Sequence, residues 1–414
     1  MIASEIVYQW LDWWSKVVVM RILIVGAGVA GPTVAHWLLR GNHEVTIVER
    51  ASAPREGGYL IDFWGAGFDV AERMGIVPRL SEVGYAVREL REVNDRGQTI
   101  ARMDPRRVAK SANGRFLSVA RSDLATIILS SLDGRVETLF GVTVNTIEDR
   151  GDRVVVHFAS SPARDFDLVI GADGLHSSVR RQVFGSESDF ERYLGIMVSV
   201  FVLDGYEPRD ELVGVTRTTV GRQVLRFAQR DGSTVVALTF RHDGTSPLGD
   251  LTAQQDLLRD QFADMRWEVP EILDRMPDAR SFYFDRVSQI RMPTWSRGRV
   301  VLLGDAAACA SLLAGQGSAL AMIEGYVLAQ ALNDPSNDHT AALIEYERTL
   351  SSFVRSKQDA AARMGVAFAP RNRFELALRN GAIRSMRVPL LADIAIGRSL
   401  HDEVDLPEAS GRPS

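Results

Sequence analysis

Cysteine is almost missing from this chain: Cys309 stands alone among 414 residues, so no disulfide can close within it. An oxidising compartment therefore has no support. Lysine occurs only at Lys16, Lys110 and Lys357 beside abundant arginine, which reads as a base-composition bias. A net charge of −5 with no Lys/Arg-rich block gives no reason to expect nucleic acid. Long apolar runs are missing too. The stretch from Val17 to Val25 is broken by Arg21 and is too short to span a membrane. Residues 1–19 do not resemble a signal peptide, since Glu5 and Asp12 replace a positive start and no small-residue cleavage site follows. The seven histidines show no metal-ligand spacing, and there is no Gly-x-Ser-x-Gly elbow or Walker loop. These absences lead to the expectation of a soluble, cytoplasmic protein with no metal, membrane or nucleic-acid partner.

What remains is the composition of an ordinary globular protein, 46% hydrophobic and 24% charged, long enough for two domains. Arg21–Val25 is a short apolar strand of the kind buried on both faces of a parallel sheet. Helical spacing through Val34, Trp37, Leu38 and Leu39 stops at Gly41, and Glu44–Val48 forms the next strand. This is a βαβ unit. Helices are expected over Ala66–Met74 and from Ser122, as N-cap, to Leu132. Val142–Ile147 and Arg153–Phe158 read as a hairpin around Arg150-Gly151-Asp152, and Asp167–Ile170 returns to the parallel sheet. From Leu194 to Phe240 the pattern changes to short β-rich runs, which predicts an inserted antiparallel sheet. Thr252–Phe262, Pro270–Met276, Gln316–Leu332 and Ala341 to about Met364 read as helices, and Arg299–Leu303 as a buried strand. The fold class expected is α/β. A Rossmann-like domain covers 20–185 plus 281–340, a β-rich insertion 186–280, and a C-terminal helical region 341–400. Residues 1–19 form an extension, expected to be dispensable.

Three motifs carry chemistry. In Gly26-Ala27-Gly28-Val29-Ala30-Gly31, Gly26 permits a tight turn, Gly28 lets backbone approach a pyrophosphate, and Gly31 lets the helix pack on the strand. The helix start then offers free N–H groups to phosphate. Glu49 lies 18 residues beyond Gly31, where an acid can accept hydrogen bonds from ribose hydroxyls; Arg50 beside it is counted with the cofactor-binding residues. The second motif is Gly171-Ala172-Asp173-Gly174, continuing through Ser177, Val179 and Arg180. In the third, Gly304-Asp305-Ala306-Ala307 leads to Gly315-Gln316-Gly317, which brings backbone N–H groups and a helix start toward a ligand.

In this order, the three motifs resemble the FAD-dependent aromatic hydroxylases, single-component monooxygenases related to para-hydroxybenzoate hydroxylase and to tetracycline-inactivating enzymes. The resemblance covers about residues 20 to 360. It implies bound FAD, transient NADPH or NADH, and O2. It further implies hydroxylation of an aromatic or polyketide-like small molecule through a flavin C4a-hydroperoxide, in antibiotic metabolism. Asp305 would hydrogen-bond the ribityl chain, and Asp173 and Arg180 would lie near both pyrophosphates. Arg121 matches an arginine that contacts FAD. Asp62, in the loop from Gly57, matches a segment beside the flavin ring. The cofactor carries the hard chemistry, so no catalytic side chain is assigned. Several positions depart from the pattern. Ala308 and Cys309 replace histidine and proline, Leu312 a proline, Ala319 an asparagine and Gly325 a helix acid. Halogenation is disfavoured, because Trp10, Trp13 and Trp14 have the wrong spacing. Trp64 and Phe227 could line the substrate pocket, and the chain is expected as a monomer or weak homodimer. A same-fold flavin reductase or dehydrogenase, or a flavin-binding protein without turnover, remains the alternative.

Overall fold

The computed structural model describes residues 19–54, 60–105, 114–207, 210–385 and 404–408. The extension 1–18, the Gly57-Gly58-Tyr59 loop and the tail 386–403 lie outside them.

The chain opens with β1 (Arg21–Val25), α1 (Ala30–Leu38) and β2 (Glu44–Glu49), the expected βαβ unit. The strands β3 (Leu60–Trp64) and β6 (Phe116–Ala120) pair antiparallel as a small ribbon. Between them lie α2 (Gly65–Arg73), α3 (Val77–Val83), β4 (Glu89–Val93) and β5 (Thr99–Met103). Helix α4 (Arg121–Ser130) begins two residues earlier than an N-cap at Ser122 implies. Ala120 is its N-cap and Ser122 sits inside the helix, with no side-chain cap. Then come β7 (Glu137–Phe140), β8 (Val144–Asp149), β9 (Val154–Phe158), β10 (Arg164–Phe166) and β11 (Leu168–Gly171). The hairpin between β8 and β9 turns where expected, with the Arg150 N–H on the Arg153 carbonyl at 2.8 Å.

After α5 (Ser178–Val183) the second sheet is built from β12 (Glu191–Asp204), β13 (Val213–Thr219), β14 (Arg222–Ala228) and β15 (Ser233–Arg241). Helices α6 (Leu251–Phe262) and α7 (Val269–Arg275) follow; the Asp250 carboxylate caps α6 by accepting the Ala253 N–H at 3.0 Å. The chain continues through β16 (Ser281–Ile290), β17 (Ser296–Arg297), β18 (Val300–Leu302) and the short α8 (Asp305–Ala308). It finishes with α9 (Gly317–Asn333), α10 (His339–Phe368) and α11 (Arg373–Ser385).

The first sheet runs β17-β18-β11-β1-β2-β7, with the inner strands parallel. The register puts Leu302, Gly171, Val25 and Val48 side by side, so all three motif strands end on one row. Ligands in such sheets bind beyond that edge. Helix α9 crosses α1 closely. A Cβ on Gly325 would press on Thr33 and Val34, and Trp37 meets Tyr326 edge-on at 4.8 Å. Such an aromatic pair adds about 0.5–1.5 kcal/mol beyond the area it buries.

The second sheet runs β16-β12-β15-β14-β13-β4-β5. It therefore draws in Glu89–Met103 and Ser281–Ile290, beyond the expected insertion 186–280. β16 pairs antiparallel with β12 along most of its length, and β4 pairs parallel with β13. Alternation along the strands gives the sheet two faces. Met197, Phe201, Val236 and Phe240 face α6 and α7, burying Leu258, Phe262 and Ile272. Val198, Val200 and Val235 on the other face meet Leu312 and Leu313 from the third motif's loop. Only that second face looks toward the motif strands. No helix among the described residues is long and apolar enough to cross a membrane.

Candidate functional site

The three glycines of the first turn are not equivalent. A Cβ on Gly26 would collide with the Ala172 carbonyl oxygen, and one on Gly31 with the carbonyl of Gly26. Both positions are closed by the chain itself. A Cβ on Gly28 meets nothing within 4 Å. Gly28 alone fronts open space at the start of α1, as a backbone cradle for a phosphate would. Glu49 ends β2 beside this turn. Its carboxylate accepts the Ala27 N–H at 3.0 Å and the Ala51 N–H at 2.9 Å, which fixes it against the glycine loop. Arg50, next to it, is exposed.

The motifs touch one another. Gly26 abuts Ala172, Gly304 lies against Ala30 of α1 and Ala321 of α9, and the Asp305 carboxylate lies beside Gly317. Gly315 takes a left-handed turn, φ 64°, that releases Gln316 into the start of α9. Helix α9 thus begins next to Asp305, with its first N–H groups unpaired within the helix.

Asp173 behaves differently. Its carboxylate accepts the Ser177 hydroxyl at 2.5 Å, the Ser178 N–H at 2.6 Å and hydroxyl at 2.9 Å, and the Val179 N–H at 3.2 Å. Both oxygens are engaged by its own helix, so the side chain braces the turn. Arg180 requires a correction. The sequence suggested a charge near the nicotinamide cofactor, but the side chain is 0% exposed. Its guanidinium donates to the carbonyls of Ala306 (3.0 Å) and Leu175 (2.6 Å) and to Glu187 (2.9 Å). It ties the Asp-Gly turn to the Gly304-Asp305 turn and cannot meet a diffusing cofactor.

Asp62 lies on β3, and Arg121 directly follows its partner strand β6. Asp62 is open to water yet surrounded by protein, as on a cleft wall. That crowding raises its carboxyl above the ordinary range, offset by the Ser118 hydroxyl at 2.6 Å. Arg121 follows β6, half-buried at the start of α4. Trp64 stacks on Phe116 at 6.0 Å. Phe227 lies opposite Val235, on the sheet face turned toward the motif loop, its ring edge-on to Tyr85 at 6.1 Å.

One departure from the expected pattern has a physical reason. Ala319 packs so closely on Gly67 of α2 that a Cβ at Gly67 would collide with it, leaving no room for a longer side chain. At Cys309 the structure gives no reason for the exchange: the thiol is buried, and the carbonyl that accepts the Ile290 N–H at 3.1 Å, joining the loop to β16, is a group proline also has. The residue before Gly325 is itself an acid. Glu324 on α9 is buried and accepts the Gly304 N–H at 2.6 Å. Its identity was visible in the sequence, but its contact with Gly304 was not.

His176, also missed, joins the Asp-Gly turn to the second sheet. It bonds Glu187 through Nδ1 and Asp285 through Nε2, each at 2.9 Å. Those carboxylates, Asp285 foremost, push its pKa up to about 9. Among the described residues, no three His, Cys, Asp or Glu side chains come together as a metal site. A cavity of about 590 Å³ opens among Arg217, Arg222, Asp264 and Arg371, but no motif residue lines it.

Comparison with known proteins agrees with this geometry. The FAD binding domain family model matches residues 19–356. A flavin-dependent monooxygenase from an unknown prokaryotic organism is 31% identical over 82% of this chain and 87% of its own length. An uncharacterised protein of Mycobacterium tuberculosis is 35% identical over 81% of this chain and 91% of its own. The crystal structure of tetracycline destructase Tet(55) is similar with a TM-score of 0.82 at 28% identity, covering 94% of this chain and 99% of that one. The chain belongs to the FAD-binding domain family. Within it, the chain is an FAD-dependent monooxygenase.

Proposed function

We propose that this enzyme holds FAD along the row of motif strand ends, takes electrons from NADPH or NADH, and uses O2 to hydroxylate an aromatic or polyketide-like small molecule. The observation that carries the reading is the open backbone at Gly28, between two glycines that the chain itself closes. Bound FAD supplies electron storage and oxygen activation, chemistry that amino-acid side chains lack. The remaining work is done by the protein. The start of α1 faces the pyrophosphate, Glu49 the adenosine ribose and Asp305 the ribityl chain. Arg50, Arg121 and Asp62 border the cofactor. The start of α9, at Gly315-Gln316-Gly317, offers N–H groups and a positive dipole end to charge on the reduced ring. Asp173 keeps its turn rigid beside them.

The substrate lies between this row and the second sheet, beside the face on which Val198 and Val235 pack against Leu312 and Leu313, an apolar wall that excludes water from the reacting centre. The likeness to a tetracycline destructase supports a planar, multi-ring substrate. A test is oxygen uptake with NADPH or NADH over a panel of aromatic and tetracycline-like compounds, with product mass spectrometry. The expected outcome is substrate-stimulated uptake and a product heavier by one oxygen atom. Uptake that yields only hydrogen peroxide across the panel would indicate an oxidase or reductase of the same fold.

A further inference from the structure

Glu324 is the buried acid that the proposed function leaves unused. It sits about two turns into α9 from Gly317, and its side chain leans back toward the helix start. There it accepts the Gly304 N–H at 2.6 Å, while the Tyr346 hydroxyl stands 3.4 Å from the same oxygen and 3.3 Å from the Leu302 carbonyl. Gly304 has φ 63° and ψ −139°, a conformation open in practice to glycine alone. A turn of that kind persists only where its surroundings hold it. The hydrogen bond that the Gly304 N–H donates goes to the helix whose first residues border Asp305.

We propose that Glu324 is a positioning residue for the flavin: by holding the Gly304 N–H it sets Asp305 against the start of α9. The inference rests on the proposed FAD site, because it assigns Glu324 a role through the turn that would carry the ribityl contact.

The ionisation of this group gives the role a signature. Burial, with the like charge of Asp305 adding to it, pushes the Glu324 carboxyl up to about 8; the Gly304 N–H and the Tyr346 hydroxyl oppose that. FAD brings the negative charge of its pyrophosphate, which favours the neutral acid. Flavin affinity should therefore be higher below about pH 8 and fall as pH rises through it. The titratable groups on the elements packed around Glu324 include Asp305, Cys309, Tyr346, Glu347, His36 and Arg73, with Tyr326 on α9 itself; of these, Asp305 and Tyr346 act on it directly. Cys309 and Tyr346 are pushed above their ordinary ranges by burial, and His36 is lowered to about 4, so none of these three titrates in the window. His176, pushed up to about 9, lies in the Asp-Gly turn, and its step persists in a Glu324 variant.

The experiment is fluorescence titration of apoprotein with FAD between about pH 6.5 and 9.5, alongside melting of the apoprotein. Wild type should bind FAD, more weakly above pH 8. Glu324→Gln keeps a carbonyl acceptor for Gly304, so it should bind like wild type at pH 7 and lose the fall near pH 8. Glu324→Ala should bind about tenfold more weakly at pH 7. Should the alanine variant fail to fold, the glutamine variant's pH profile still decides. An unchanged pH profile in Glu324→Gln, or wild-type affinity in Glu324→Ala, would overturn the inference. Wild type that binds no FAD at any pH would reject the site itself, and the inference with it.

Discussion

Two turns in this protein place an aspartate just past a buried parallel strand, and they do different work. At Asp173 both carboxylate oxygens are taken up by Ser177, Ser178 and Val179 of the following helix. At Asp305 the following helix is a single turn, and the carboxylate lies beside Gly317 at the start of another helix. The same contrast divides the glycines, with Gly26 and Gly31 closed by neighbouring carbonyls and Gly28 open. A short motif therefore mixes residues that hold the loop with residues left free to face a ligand. Only the neighbours of each side chain tell them apart.

The sharpest way to break this division is at Arg180, on the holding side. Arg180→Glu buries a carboxylate among the carbonyls of Ala306 and Leu175, beside Glu187. Losing a buried ion pair costs about 3–5 kcal/mol, so thermal melting should drop by many degrees or soluble protein should be lost. A stable variant with altered response to NAD(P)H alone would return Arg180 to the ligand-facing side. Next in size is Gly28→Val. No chain atom lies within 4 Å of its Cβ position, so the apoprotein should melt as wild type does. FAD affinity should fall by about a hundredfold or more, roughly 2.7 kcal/mol. Retained FAD binding would refute the cradle.

The smallest effect concerns His176. Its pKa is raised to about 9 in the folded protein, against 6.5 when unperturbed. The imidazolium therefore contributes stability that is full below about pH 6.5 and lost as pH rises through 9. The side chain is 46% exposed, so solvent screening limits the gain to about 1 kcal/mol. Melting of wild type against His176→Asn should differ most near pH 6 and converge above pH 9. A difference that does not change with pH would remove the charge from the explanation.

Much of the flavin side was legible because its signals are local. Turn glycines, apolar strands and acids at strand ends lie within a few residues of one another, and the βαβ unit stands where its spacing put it. The second sheet was only half legible. Glu89–Val93 carries charges at three of its five positions and hides no simple alternation. It becomes a strand because Val213–Thr216, more than a hundred residues later, pairs with it. Ser281–Ile290 was read as returning to the cofactor domain because nothing in its own residues names β12 as its partner. Arg180 was misjudged, and Glu324 passed over, for the same reason. Burial and a distant backbone partner determine their roles, and neither is written next to them in the chain.

The most direct test compares Asp305→Ala with Asp173→Ala, measuring FAD affinity of each apoprotein together with its melting temperature. Asp305→Ala should lose charge-assisted hydrogen bonds to the flavin, about ten- to a hundredfold in affinity, and melt like wild type without FAD. Asp173→Ala should melt lower without FAD, since four hydrogen bonds to its own helix disappear. Wild-type FAD affinity in purified Asp305→Ala would contradict the account.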